Sequence, residues 1–167
     1  MDQAAFEMAV RAYSSDLFRF AYWLCRNRWQ AQDLVQEAFA AAWKARNALR
    51  EPGAIKTWLF TILRNEHVRV HQRRQLPMED VELDELNSPA SGNPSEKVEL
   101  DALLRTLPEN YREPLVLQVL GGFSCREIAE MMNITEQNVM TRLTRSRQML
   151  QRMSTPTPQA VPAREKG

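Results

Sequence analysis

The chain has little of what would tie it to an oxidising compartment, a membrane or covalent chemistry. Its two cysteines, Cys25 and Cys125, lie a hundred positions apart with no C-x-x-C pair. That excludes a disulfide framework and leaves buried, reduced thiols as the expectation. Glycine occurs five times in 167 residues and forms no phosphate-binding loop. No convergent carboxylate pair or nucleophile–base constellation is present either, so no catalytic residues and no cofactor are assigned. The two histidines, His67 and His71, sit one helical turn apart, a spacing that can bind zinc. No third ligand is evident, and backbone contact or solvation is the reading kept over a metal. No apolar run approaches membrane-spanning length, and the opening MDQAAFEM lacks the basic and apolar regions of a signal peptide. The expectation is a cytoplasmic protein that is not itself a membrane protein. Period-2 alternation is missing throughout, which leaves an all-α fold.

Net charge is also nearly absent, at +1, but only by cancellation. Residues 1–75 carry 12 basic and 7 acidic side chains, a balance of +5. Residues 76–109 carry 2 and 9, and residues 110–167 carry 8 and 5, balances of −7 and +3. Two basic segments thus flank an acidic one. Basic ends suit a polyanion, which would repel the acidic middle unless a basic surface elsewhere held it.

What is present is helical periodicity. Phe6, Val10, Tyr13, Leu17, Phe20 and Leu24 recur every three or four positions, predicting a helix from Phe6 to about Cys25. A second runs from about Ala31 to Ala45 on Leu34, Val35, Ala38 and Ala42. Pro52-Gly53 breaks the pattern. A third, from about Ala54 to Arg74, places Ile55, Leu59, Ile62 and Val70 inward. Residues 76–95 are acidic and then rich in Ser, Pro, Asn and Gly, a linker composition. Helical pattern resumes near Glu96 to Leu107, and again after Pro108 to Leu120, with Pro114 expected near the first turn or at a kink. Residues 154–167 have little to bury and are expected to be disordered. The architecture expected is two small helical domains, 1–75 and 96–153, joined by a flexible acidic linker.

Ser124 to Leu150 carries the sharpest local signal. Ser124 and Glu127 form an S-x-x-E capping box ahead of Ile128, Ala129 and Met132. Asn133 falls where the chain must turn and tolerates the left-handed conformation. Thr135 is a second N-cap candidate, opening a helix that turns Val139, Leu143 and Leu150 inward with Ser146 as a small filler. Asn138, Thr141, Arg142 and Arg145 share the opposite stripe. This reads as a helix-turn-helix whose second helix can reach base edges and phosphates in a major groove; an ordinary solvated basic face is the plainer alternative.

With these pieces in place, the chain resembles a bacterial extracytoplasmic-function sigma factor, the minimal kind with only regions 2 and 4. DLVQEAFAAAW at 33–43 and TWLFTILRN at 57–65 resemble the polymerase-binding and promoter-melting segments, and the block from Leu107 through Arg147 resembles the −35 reader. The resemblance implies docking on core RNA polymerase through Asp33, Gln36 and Glu37. It implies −10 recognition and melting of promoter DNA through Asn65 as a base-edge reader, with Lys56, Arg64, Arg69 and Arg73 on phosphates and the 47–53 loop framing an extruded base. Trp58 either stacks on a base or packs in the core; Trp43 is structural or at the polymerase interface. The −35 contacts map to Asn138, Met140, Thr141, Arg142, Thr144 and Arg145. Met140 stands where the family has a basic residue and favours a thymine methyl. An anti-sigma factor, often membrane-anchored in this family, is the further partner implied. The competing reading is a stand-alone helix-turn-helix regulator with residues 1–75 as a dimerisation or sensory domain.

Overall fold

The computed structural model describes residues 1–73 and 102–154, and every regular element in these stretches is helical. Helix α1 spans Gln3–Cys25, α2 Arg28–Lys44 and α3 Ile55–Arg73, with single 3-10 turns at Arg46–Ala48 and Pro52–Ala54 between the last two. Residues 102–106 are helical (α4), followed by α5 Glu109–Val119, α6 Cys125–Met132 and α7 Glu136–Ser154. The expected linker over 76–95 and residues 155–167 of the expected tail lie outside the described residues. Ser154, assigned to that tail, instead closes α7.

The first three helices form one bundle. Asp2 caps α1, its carboxylate accepting from the Ala5 amide at 2.8 Å. Arg26, in the left-handed region at φ 55°, ends it. Asn27 then accepts from the amides of Trp29 and Gln30, so α2 begins three residues before the expected Ala31. Leu17, Phe20 and Ala21 of α1 and Ala31, Ala38 and Ala42 of α2 are buried in the core where these two helices meet. On α3 the expected stripe is shifted. Leu59 is buried as expected, but Ile55, Ile62 and Val70 are only partly covered, and the deepest positions are Phe60 and Leu63. The reason lies in a second set of neighbours, since Phe60 stacks on Phe20 at 5.5 Å and meets Phe123 edge-on at 5.0 Å.

The second bundle buries Leu107, Leu115, Val116 and Leu117 against Ile128, Met131, Val139 and Leu143. Pro114, expected near the first turn or at a kink, is the sixth residue of α5, in its second turn, and is fully buried. Pro108 stands at the N-cap, its carbonyl accepting from the Tyr111 and Arg112 amides. The two bundles touch: α1 meets α5, and α3 meets α6.

Candidate nucleic-acid interface

The helix-turn-helix forms as its local chemistry dictates. Ser124 and Glu127 complete the reciprocal box, with Ser124 N donating to Glu127 Oε2 at 2.8 Å and Glu127 N to Ser124 Oγ at 3.2 Å. Asn133 turns the chain at φ 54°, ψ 46°. Thr135 Oγ1 then accepts from the Asn138 amide at 3.1 Å and caps α7. Val139, Leu143 and Ser146 are buried, while Leu150 is half-buried. The Ser146 hydroxyl lies 2.7 Å from the carbonyls of both Tyr111 and Arg142, so the filler position also pins α7 to α5.

The outward face of α7 holds all six residues expected to read the −35 element. Asn138, Met140, Thr144 and Arg145 are exposed, and Thr141 and Arg142 half-exposed. Arg142 Nε donates to Asn138 Oδ1 at 2.8 Å, fixing the two against each other and leaving the amide's donor side for an incoming acceptor. Thr141 and Thr144 donate their hydroxyls back to the Gln137 and Met140 carbonyls. Met140 is 49% exposed, a large thioether on a face that otherwise carries amides, hydroxyls and guanidinium groups.

The α3 residues divide differently. At a hundred degrees per residue, Trp58, Asn65 and Arg69 fall on one stripe, and Lys56 and Arg64 on another roughly opposite. Asn65 is exposed, and Arg69 bonds Glu66 at 2.5 Å. Trp58 is half-buried, packed in part against the core and in part exposed on the stripe it shares with Asn65. Lys56 donates to the Gly121 carbonyl at 2.6 Å and sits 5.1 Å over the Phe123 ring. Arg64 pairs with Glu113 at 2.5 Å. Burial raises the Glu113 carboxyl above its ordinary value; Arg64 opposes that rise, Glu109 adds to it and Arg142 opposes it. The Arg73 side chain lies outside the described residues.

On α2, Asp33, Gln36 and Glu37 are all exposed along one face. Trp29, 65% exposed, lies on the same stripe one turn before Asp33. The expected start of this helix at Ala31 left Trp29 outside it; the Asn27 cap, which starts the helix at Arg28, brings Trp29 onto this face. Trp43 is half-buried, with Phe6 at 5.1 Å and the Arg46 guanidinium 4.0 Å from its ring centre. His67 gains a neighbour that the sequence concealed, Cys25 Sγ at 4.0 Å from Nδ1, and His71 is 5.8 Å away ring to ring. Among the described residues no group of three or more His, Cys, Asp or Glu could hold a metal. None of the described helices is long and apolar enough to cross a membrane.

Comparison with known families bears directly on this arrangement. Residues 9–76 match the family model for Sigma-70 region 2, and residues 97–150 the model for Sigma-70 region 4. The chain is 32% identical over 145 residues to the ECF RNA polymerase sigma factor SigM of Bacillus subtilis, covering 83% of this chain and 88% of that one. It is also 32% identical over 134 residues to the ECF RNA polymerase sigma-E factor of Escherichia coli K12, covering 71% and 70%. Among solved structures it is similar to the sigma factor RpoE of Bartonella quintana, solved in complex with the anti-sigma factor NepR. That likeness has a TM-score of 0.76 at 26% identity and covers 89% of this chain and 95% of the other. Both regions are matched in order, which disfavours a stand-alone regulator carrying an unrelated N-terminal domain. The chain belongs to the ECF sigma factors, alternative subunits that bind core RNA polymerase, direct it to −35/−10 promoters and promote DNA melting at transcription initiation.

Proposed function

We propose that the three faces divide the work of initiation. The exposed face of α7 reads the −35 element through Asn138, Met140, Thr141, Arg142, Thr144 and Arg145. Helix α3, with the 47–53 loop before it, holds the melted −10 strand: Asn65 reads a base edge, and Lys56, Arg64, Arg69 and Arg73 neutralise phosphates. Asp33, Gln36 and Glu37 of α2 dock on the clamp of the polymerase's largest subunit, and Trp29 extends that contact as an apolar anchor. No covalent step is needed, because the work is binding and strand separation. Such a factor acts in the cytoplasm, where polymerase is. An anti-sigma factor is a further partner, supported by the likeness to the Bartonella quintana sigma factor held by NepR; membrane anchoring of that partner is part of the family expectation.

The observation that carries this reading is α7 itself. Val139, Leu143 and Ser146 are buried, while Asn138, Met140, Thr144 and Arg145 stand in solvent behind two completed N-caps. Transcription by the reconstituted holoenzyme tests it. Arg145→Ala should cost about 1–3 kcal/mol on a promoter with an intact −35 element and much less on one with that element scrambled. An equal loss on both templates would reduce Arg145 to nonspecific phosphate contact.

A further inference from the structure

Arg145 is held from outside its own helix. Helix α7 carries one carboxylate, Glu136, and it stands nine residues before Arg145, too far along the axis to pair with it. The group that reaches the guanidinium is the phenol of Tyr111 on α5, whose oxygen accepts from Arg145 Nη1 at 3.4 Å across 34 positions of sequence. Tyr111 is itself fixed at both of its backbone groups. Its amide donates to the Pro108 carbonyl at 3.0 Å, and its carbonyl accepts from the Ser146 hydroxyl at 2.7 Å. Ser146 is fully buried, so the second of these bonds is shielded from water and ties Tyr111 to the residue next to Arg145. One residue of α5 thus grips two consecutive residues of α7, the first through its side chain and the second through its backbone.

We infer that Tyr111 is a positioning residue for −35 reading, acting from outside the recognition helix: its phenol holds Arg145 in one rotamer and leaves the Nε–Nη2 edge open to acceptors on DNA. The inference rests on the assignment of the outward face of α7 to the −35 element. An unrestrained arginine must fix several side-chain torsions when it binds, and each staggered torsion offers three wells. A hydrogen bond already made in the free protein removes part of that cost before DNA arrives. A phenol suits this task better than a carboxylate. Being neutral, it leaves the full positive charge of Arg145 for DNA, whereas a carboxylate at the same place would cancel that charge and repel phosphate. Arg142 is held differently, through Nε by Asn138 of its own helix. The two arginines therefore present different edges, Nη1–Nη2 for Arg142 and Nε–Nη2 for Arg145, and either pair of donors matches the two acceptors of a guanine.

Tyr111→Phe removes the phenol oxygen while keeping both the ring and the carbonyl that holds Ser146. Affinity of the reconstituted holoenzyme for promoter DNA, with the −35 element intact or scrambled, reads the effect. Freeing one torsion over its three wells should weaken binding to the intact promoter about threefold and leave the scrambled one unchanged. The melting temperature of the free chain should not move. In an Arg145→Ala background Tyr111→Phe should have no further effect on either template, because the group it positions is gone. A loss that persists undiminished in that background, or an equal loss on both templates, makes Tyr111 a packing residue or a DNA contact in its own right and overturns the positioning role. Unchanged binding by Tyr111→Phe, while Arg145→Ala still discriminates between the templates, overturns it as well and leaves the −35 assignment standing. Failure of Arg145→Ala itself to discriminate overturns that assignment, and the positioning role with it.

Discussion

Asn65 shows how a single side chain on α3 can separate two steps of initiation. Its amide is exposed, on the stripe it shares with Trp58 and Arg69 and away from the second bundle. An amide aimed at a base edge gains nothing from a stacked, paired base, so its contribution appears only once the strands part. Asn65→Ala should leave closed-complex formation nearly unchanged and lower the permanganate reactivity of thymines around the −10 element, with a pre-melted bubble template restoring part of the loss. Unchanged reactivity would return Asn65 to a solvated surface role. The caps and the turn of the helix-turn-helix were legible in sequence because their signals are local. Ser124, Glu127, Asn133 and Thr135 act within three or four positions, and each occupies the expected cap or turn. Lys56 and Arg64 were legible only as cations. Their partners stand 65 and 49 positions away, and no spacing rule connects them.

At the scale of the element, α2 is the clearest case of a helix with two sides to satisfy. Ala31, Leu34, Ala38 and Ala42 spend its inner face on the bundle, and the outer face presents Trp29, Asp33, Gln36 and Glu37 to solvent. Asp33 is the sixth residue of the helix, beyond the first turn where the macrodipole would reward a carboxylate, so reversing its charge leaves the helix itself nearly untouched. Asp33→Lys with Glu37→Lys should therefore abolish binding to core polymerase while the circular dichroism spectrum stays helical. Trp29→Ala alone should weaken binding by about 2 kcal/mol, the scale of a buried aromatic anchor. Co-elution of the double variant with core polymerase would move the docking surface elsewhere. The same element marks the limit of periodic reading. The apolar stripe located the helix, but its start depended on Asn27 and on a left-handed Arg26, a conformation that residue type does not announce. On α3 the stripe was read for one packing partner when there are two, so Phe60 and Leu63 were passed over for Ile62 and Val70.

For the whole molecule, the contact between bundles has a pH dependence whose sign follows from Glu113. Burial raises its carboxyl above the ordinary value, and Arg64 on α3 and Arg142 on α7 only partly offset that, with Glu109 on its own helix adding to the rise. Separation returns Glu113 to water and its carboxyl towards the ordinary value. The closed form therefore holds the proton more firmly than the open form. Glu113's contribution to closure is fully present below the open-state value, near 4.5, and is lost as pH rises through the raised closed-state value. A buried ion pair can thus set the register of an interface while weakening it relative to a neutral isostere, because desolvation exceeds the Coulombic gain. Two consequences separate this account from a simple salt-bridge latch. Glu113→Gln keeps an acceptor for Arg64 without the charge, so at neutral pH it should be at least as compact as the parent. Its radius of gyration should also stay flat from pH 4.5 upward, while the parent expands across the window above 4.5 and then levels off. A Glu113→Gln chain that expands with the parent's slope would assign the titration to another group, and one that opens at neutral pH would show that the charge itself holds the bundles together.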